Sequence, residues 1–182
     1  MRSICVFCGS KNGIQPENEQ ATRQLATLLV ENNITLIYGA GDIGLMGILA
    51  DQVLALGGQV IGIIPRHLCT KEIVHDSLTE LHVTEDMLER KQLMMAKADG
   101  FIALPGGLGT LDEILEVATW KQLGQLDKPL CLINTNGFYN PFISCIQSLV
   151  NNGFMEPWQV DLLPLLNTPE QAIQFLLTTD SH

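Results

Sequence analysis

Short runs of consecutive apolar residues alternate along this chain with longer segments whose apolar positions recur every three or four residues. Residues 3–7, 34–38, 59–64, 101–104 and 130–133 read as strands buried on both faces, and 80–83 and 160–166 as two shorter ones. The intervening segments read as helices. Pro16 opens the first, in which Ala21, Leu25, Leu28 and Leu29 keep helical spacing until Asn32-Asn33 stops it. A second runs over 45–56 and ends at Gly57-Gly58. A third is capped by Thr84, with Glu85 and Asp86 in its first turn, and reaches Lys97. The fourth follows Thr110 and ends near Gly124, the fifth covers 138–150, and the last starts on Thr168-Pro169 and reaches Leu177. Residues 66–79, which include His67, Glu72 and His75, carry no clear period and at most one helical turn. Strand and helix in regular alternation predict the α/β class: one domain over 1–182, a doubly wound parallel sheet with helices on both faces.

Right-handed crossovers bring the carboxyl ends of all such strands to one edge, where ligands bind. Three glycine-bearing turns fall there: Gly9-Ser10 after the first strand, 39–44 after the second and 105–110 after the fifth. The third turn reads Pro105-Gly106-Gly107-Leu108-Gly109-Thr110. Its glycines permit positive φ and put no side chain between the backbone and a bound group, so several amides can converge on a phosphate. Thr110 and Glu113 also fit a capping box, which requires no ligand. Three glycines in four positions exceed what a strand-to-helix turn needs, and this favours an anion site. The spacing is neither the dinucleotide G-x-G-x-x-G nor a Walker loop.

Charge narrows the ligand. Ten basic and 20 acidic residues leave a net −10 on 182 residues, so no basic stripe exists to bind a nucleic acid polymer. A small anion held by local donors remains compatible with that balance. The first residues show no long apolar leader, and no segment approaches an apolar span of ~20 residues. Five cysteines without a secretory pattern read as free thiols of a cytoplasmic protein. Cys5 and Cys8 form C-x-x-C, but their odd separation within a strand sends them to opposite faces.

Arg90-Lys91 is the adjacent basic pair of the chain, one element before the glycine turn. Met87, Arg90 and Met94 share a helical stripe, and bidentate arginine suits phosphate. The plainer reading is an arginine whose stem packs on the core while its head pairs with Glu85 or Asp86. Glu113 and Glu116, one turn apart, are candidates to hold ribose hydroxyls and position a water. Glu113 stands nearer the turn.

These motifs together resemble those of the LOG ("lonely guy") family. Pro105-Gly-Gly-Leu-Gly-Thr-Leu-Asp-Glu113 is similar to its P-G-G-x-G-T-x-x-E signature and Met87-Leu-Glu-Arg-Lys91 to its M-x-x-R-K signature. Phe7-Cys-Gly-Ser10, the run from Tyr38 to Gly47 and Thr119-Trp-Lys-Gln-Leu-Gly124 extend the likeness to about Phe154. The resemblance implies a Rossmann-like fold, a homodimer, and a cytokinin riboside 5′-monophosphate phosphoribohydrolase, often labelled a lysine decarboxylase. It implies that Gly107 to Thr110 hold the 5′-phosphate and that Arg90 and Glu113 act in catalysis. It further places the nucleotide against Ser10, Glu72, Met87, Lys91 and Thr119, and along Gly106, Gly107, Leu108, Gly109, Thr110, Leu111, Asp112 and Glu113. Two positions depart from the family: Ala40, where a third glycine is common, and Leu88, where histidine is common.

The expected reaction is hydrolysis of the N-glycosidic bond of an adenosine 5′-monophosphate, with no metal or redox cofactor. A non-catalytic nucleotide carrier is the alternative. The decarboxylase label finds no Schiff-base lysine with supporting neighbours.

Overall fold

The computed structural model describes residues 2–69 and 74–179. Seven strands form one parallel sheet: β1 (Ser3–Phe7), β2 (Thr35–Tyr38), β3 (Val60–Pro65), β4 (Glu80–Thr84), β5 (Gly100–Ala103), β6 (Leu130–Ile133) and β7 (Leu165–Leu166). Their order is β4-β3-β2-β1-β5-β6-β7. The chain therefore winds outward from β1 in one direction, then returns to start the other half at β5, and the switch lies between β1 and β5. The registers Ile4 to Gly100 and Phe7 to Ala103 fix that junction. The turns leaving β1 and β5 separate there and open a crevice.

Six helices cover the sheet: α1 (Pro16–Glu31), α2 (Gly44–Ala55), α3 (Met87–Lys97), α4 (Leu108–Gln122), α5 (Asn140–Asn151) and α6 (Pro169–Thr179). On one face, Ile4, Val6, Leu36 and Ile102 pack against Leu25 and Leu29 of α1, Leu49 and Val53 of α2, and Leu176 of α6. On the other, Cys5, Phe7, Ile37 and Phe101 pack against Met94 and Met95 of α3, Ile114 and Val117 of α4, and Ile146 of α5. Strands feeding two cores have no polar face to present, which is why β1, β5 and β6 read as unbroken apolar runs. Cys5 and Cys8 do fall in opposite cores, and all five cysteines are free.

Two helix caps differ from expectation, and α5 starts at Asn140 rather than at residue 138. Thr84 remains in β4, paired with Pro65 of β3, and Asp86 caps α3 by accepting from the Glu89 amide at 2.9 Å. Pairing with β3 holds Thr84 extended, so the next good cap takes the role. Gly107, not Thr110, is the N-cap of α4, so Gly109 and Thr110 lie inside its first turn. The seventh strand also shrinks: Pro157–Leu162 forms a 3₁₀ turn, and Leu165–Leu166 alone pair, with β6. Thr168 caps α6 as expected, its hydroxyl accepting from the Gln171 amide at 3.3 Å. Among the described residues no helix is long and apolar enough to cross a membrane.

Ala40 takes φ +63° and is buried. A left-handed alanine costs about 1–2 kcal/mol. Room for its methyl comes from Gly62 on β3, where a Cβ would stand 2.8 Å from that of Ala40. Replacing Ala40 with glycine relieves the strain but forfeits methyl packing and loosens the unfolded chain. We expect Ala40→Gly to change unfolding stability by less than about 1 kcal/mol, as read by urea titration. Gly62→Ala has no such compensation and is expected to destabilise.

Candidate active site

The three glycine turns do meet. The Gly9 amide donates to the Pro105 carbonyl at 3.1 Å and the Gly9 carbonyl accepts from the Met46 amide at 3.3 Å, so the turn after β1 is tied to both others. Gly44 has φ +65°, and a Cβ there would overlap the Ser10 carbonyl carbon and the Lys11 nitrogen. Tyr139 steadies the other side. Its buried hydroxyl donates to the Leu104 carbonyl at 2.7 Å, immediately before the Pro105 bend.

A cleft of about 340 Å³ opens between these turns, lined by Gly9, Ser10, Lys11, Asn18, Gly106 and Gly107 among others. The bend itself works differently from the sequence reading. Gly107 has φ −94°, and none of Gly106, Gly107 and Gly109 takes positive φ. Gly106 is required by close approach, since a Cβ would overlap the Thr110 hydroxyl and stand 3.0 Å from the Gly9 nitrogen. A Cβ at Gly107 or Gly109 would meet nothing within 4 Å. These two glycines therefore leave open space over the start of α4. The Gly107 cap makes no side-chain bond, so the first amides of a 15-residue helix remain available to an anion.

The capping-box alternative does not hold. Glu113 turns away from its helix end and lies 3.4 Å from the Arg90 guanidinium, the two side chains being 11% and 12% exposed. Arg90 does not take the plainer partners expected for it. Its Nε donates to the Ile63 carbonyl at 3.1 Å, one NH lies 3.7 Å from the Met87 sulfur, and Arg66 pairs with Glu85 instead. Gly39 makes this seat possible, because a Cβ there would occupy the position of the Arg90 terminal nitrogen.

Burial pushes the Glu113 carboxyl up to about 7, against the opposing pull of Arg90 and with a smaller push from Asp112. A carboxyl poised there is suited to gain and lose a proton at neutral pH. Glu113 and Glu116 line one small hollow together with Lys91, but they hold different cations. Lys91 contacts Glu116 directly and Asp112 at 3.2 Å, and its pKa is raised mainly by the bond to Glu116. Burial also pushes the Cys5 and Cys8 thiols up, which leaves them unreactive.

Other predicted contacts spread outward. Ser10 lies exposed at the mouth of the cleft, and Met87 and Leu111 are half-buried. Leu108 is 86% exposed and Asp112 is exposed. Thr119 lies on the exposed side of α4, its hydroxyl donating to the Leu115 carbonyl at 2.7 Å, and it does not line the cleft. Glu72 falls outside the described residues. Sequence reasoning missed Lys11, Asn18 and Phe138 on the cleft wall and Gly39 beneath Arg90; only spatial proximity marks them.

A family model described as a possible lysine decarboxylase matches residues 46–176, and the two signature motifs meet through the Arg90–Glu113 and Lys91–Asp112 pairs. The chain belongs to the LOG family. This LOG-family chain is 44% identical over 175 residues to the probable cytokinin riboside 5′-monophosphate phosphoribohydrolase LOGL2 of Oryza sativa subsp. japonica, covering 96% of this chain and 72% of that protein. It is 47% identical over 156 residues to the cytokinin riboside 5′-monophosphate phosphoribohydrolase LOG1 of Arabidopsis thaliana, covering 86% of this chain and 73% of that one. Among solved structures, the molybdenum cofactor binding protein from the phototrophic bacterium Rippkaea orientalis is similar with a TM-score of 0.73 at 20% identity, over 98% of this chain and 97% of that one. At that identity the likeness concerns the Rossmann-like fold that LOG-family proteins share.

Proposed function

We propose that the protein hydrolyses the N-glycosidic bond of N6-modified adenosine 5′-monophosphates, releasing the free cytokinin base and ribose 5-phosphate. The observation that carries the reading is the nearly buried Arg90–Glu113 pair, with Glu113 in the second turn of the helix whose uncapped start faces the cleft. Relatives of 43–47% identity bear the name of that activity. The 5′-phosphate sits over Gly107 to Thr110, where the open glycines and free amides receive it. It acts as a handle that brings the anomeric carbon to Glu113.

Departure of the base leaves positive charge on the ribose ring. The Glu113 carboxylate stabilises that charge, holds ribose hydroxyls and orients the water whose oxygen bonds to the anomeric carbon. One proton of that water ends on the departing base. Arg90 keeps Glu113 in place and favours its ionised form, as the downward pull on its pKa indicates. Lys91 is a poor candidate for the Schiff base of a decarboxylase. Two carboxylates surround its ammonium and raise its pKa, whereas a nucleophilic lysine needs a lowered one.

Exposed Leu88 on α3 and Leu108 and Leu115 on α4 support a homodimer formed through these helices, which would cover Thr119 as well. Five free cysteines suit the reducing cytoplasm in which we place the protein.

Incubation with AMP and with isopentenyladenosine monophosphate, followed by chromatography, tests the reaction. Free base is the expected product from at least one of them. Nucleotide that raises the melting temperature but is recovered intact would make the protein a carrier instead.

A further inference from the structure

We propose that Lys11 supplies the cationic side chain that holds the substrate's 5′-phosphate, on the wall of the cleft formed by the turn after β1. The inference rests on the monophosphate reading above and adds a residue to it. Charge compensation is the starting point. A bound phosphate carries nearly two negative charges, and two cations already stand near the bend. Arg90 is engaged by Glu113 and the Ile63 carbonyl, and Lys91 by Glu116 and Asp112. These two cations face three carboxylates, in a chain with twice as many acids as bases. With Glu113 ionised, the phosphate thus enters a neighbourhood of net negative charge, and neutral amides alone must offset it.

Lys11 is placed to correct that balance. It lines the same cleft as Ser10, Gly106 and Gly107. Its backbone is fixed there: the Lys11 nitrogen lies against Gly44, and its carbonyl is within 3.0 Å of where a Gly9 Cβ would stand. Its side chain is exposed and makes no hydrogen bond or ion pair among the described residues. The same cleft is lined by Asn18, which is 6% exposed and spends one amide hydrogen on a 3.5 Å contact with the Asn12 carbonyl. An unpaired ammonium among otherwise neutral lining residues, in the cleft that also holds the Gly107 cap of α4, matches one end of a phosphate held at the other by the α4 amides.

The test compares wild type with Lys11→Met and Lys11→Arg in steady-state turnover of AMP or isopentenyladenosine monophosphate. A second series measures the melting-temperature shift given by AMP, by inorganic phosphate and by adenosine. Lys11→Met is expected to raise KM at least tenfold while kcat falls less than threefold, and Lys11→Arg to stay within threefold of wild type in both. The shifts with AMP and phosphate should shrink in Lys11→Met while the shift with adenosine is unchanged. Added salt should narrow the gap between Lys11→Met and wild type, because an exposed charge is screened. An unaltered KM and unaltered shifts with AMP and phosphate overturn the proposal. Should the wild type release no base from any nucleotide, the reaction assigned above fails, yet the thermal shifts still decide the role of Lys11.

Discussion

Glu113→Gln is expected to lower kcat for base release by about 10²–10⁴ while raising the melting temperature at pH 8. Both effects come from one buried carboxyl. Its pKa in the folded protein is about 7, above the ordinary value of 4.5, chiefly because of burial. A group whose folded pKa is raised favours the folded state while protonated. That contribution is complete below about 4.5, declines as the pH rises and is lost above about 7. The shift corresponds to about 3 kcal/mol at most. At pH 8 the wild type carries an ionised, nearly buried carboxylate, which glutamine replaces with a neutral side chain of the same length. The variant should therefore melt several degrees higher at pH 8 and show little difference at pH 4.5, as read by calorimetry. The same pKa sets the sign for activity: if Glu113 works as a carboxylate, kcat of the wild type should rise with pH through about 7 and level off above it. A variant that is destabilised at pH 8 would overturn the burial-raised pKa, and one that retains full activity would remove Glu113 from the mechanism.

Much of this arrangement is legible in the sequence because its signals are local. Runs such as Phe101 to Leu104 are apolar throughout since both of their faces meet helices, and a run of that kind announces a parallel sheet. The glycine bend is legible because three glycines in four positions have no other common use. What sequence cannot supply is the partner across space. Arg90 and Lys91 are neighbours in the chain but point about 100° apart around the helix, so each finds a different carboxylate on α4. Glu113 and Glu116 therefore carry different cationic partners although both line one small hollow. The cap expected at Thr84 moves to Asp86 because pairing with β3 extends β4 by one residue, and the cap expected at Thr110 moves to Gly107 because a glycine cap with free amides has no side-chain signature. Lys11 does not stand out within its polar turn for a related reason: an unpaired lysine becomes informative only when its neighbours are known to be paired.

The glycines of the second turn separate chemistry from folding, and Gly39→Ala and Gly44→Ala should divide along that line. A Cβ at residue 39 would displace the tip of the Arg90 side chain, a flexible group that can move at small cost. The fold should survive Gly39→Ala with little change in melting temperature. The guanidinium would leave Glu113, whose pKa then rises further for want of its opposing charge. A loss in kcat of about 10² at pH 7 is expected, in the range for a misplaced catalytic group, with partial recovery at higher pH as Glu113 ionises. A Cβ at residue 44 instead overlaps backbone atoms of Ser10 and Lys11 at a left-handed φ of +65°. Neither can move without parting the turn after β1 from the start of α2, where Met46 holds the Gly9 carbonyl. Gly44→Ala should therefore cost about 3 kcal/mol or more through combined strain and overpacking, and disturb Ser10 and Lys11 on the phosphate side of the cleft. Urea unfolding of both variants beside their pH–rate profiles reads the distinction directly. The fold reading is wrong if Gly44→Ala is as stable as wild type, and the seat assigned to Arg90 is wrong if Gly39→Ala keeps full turnover.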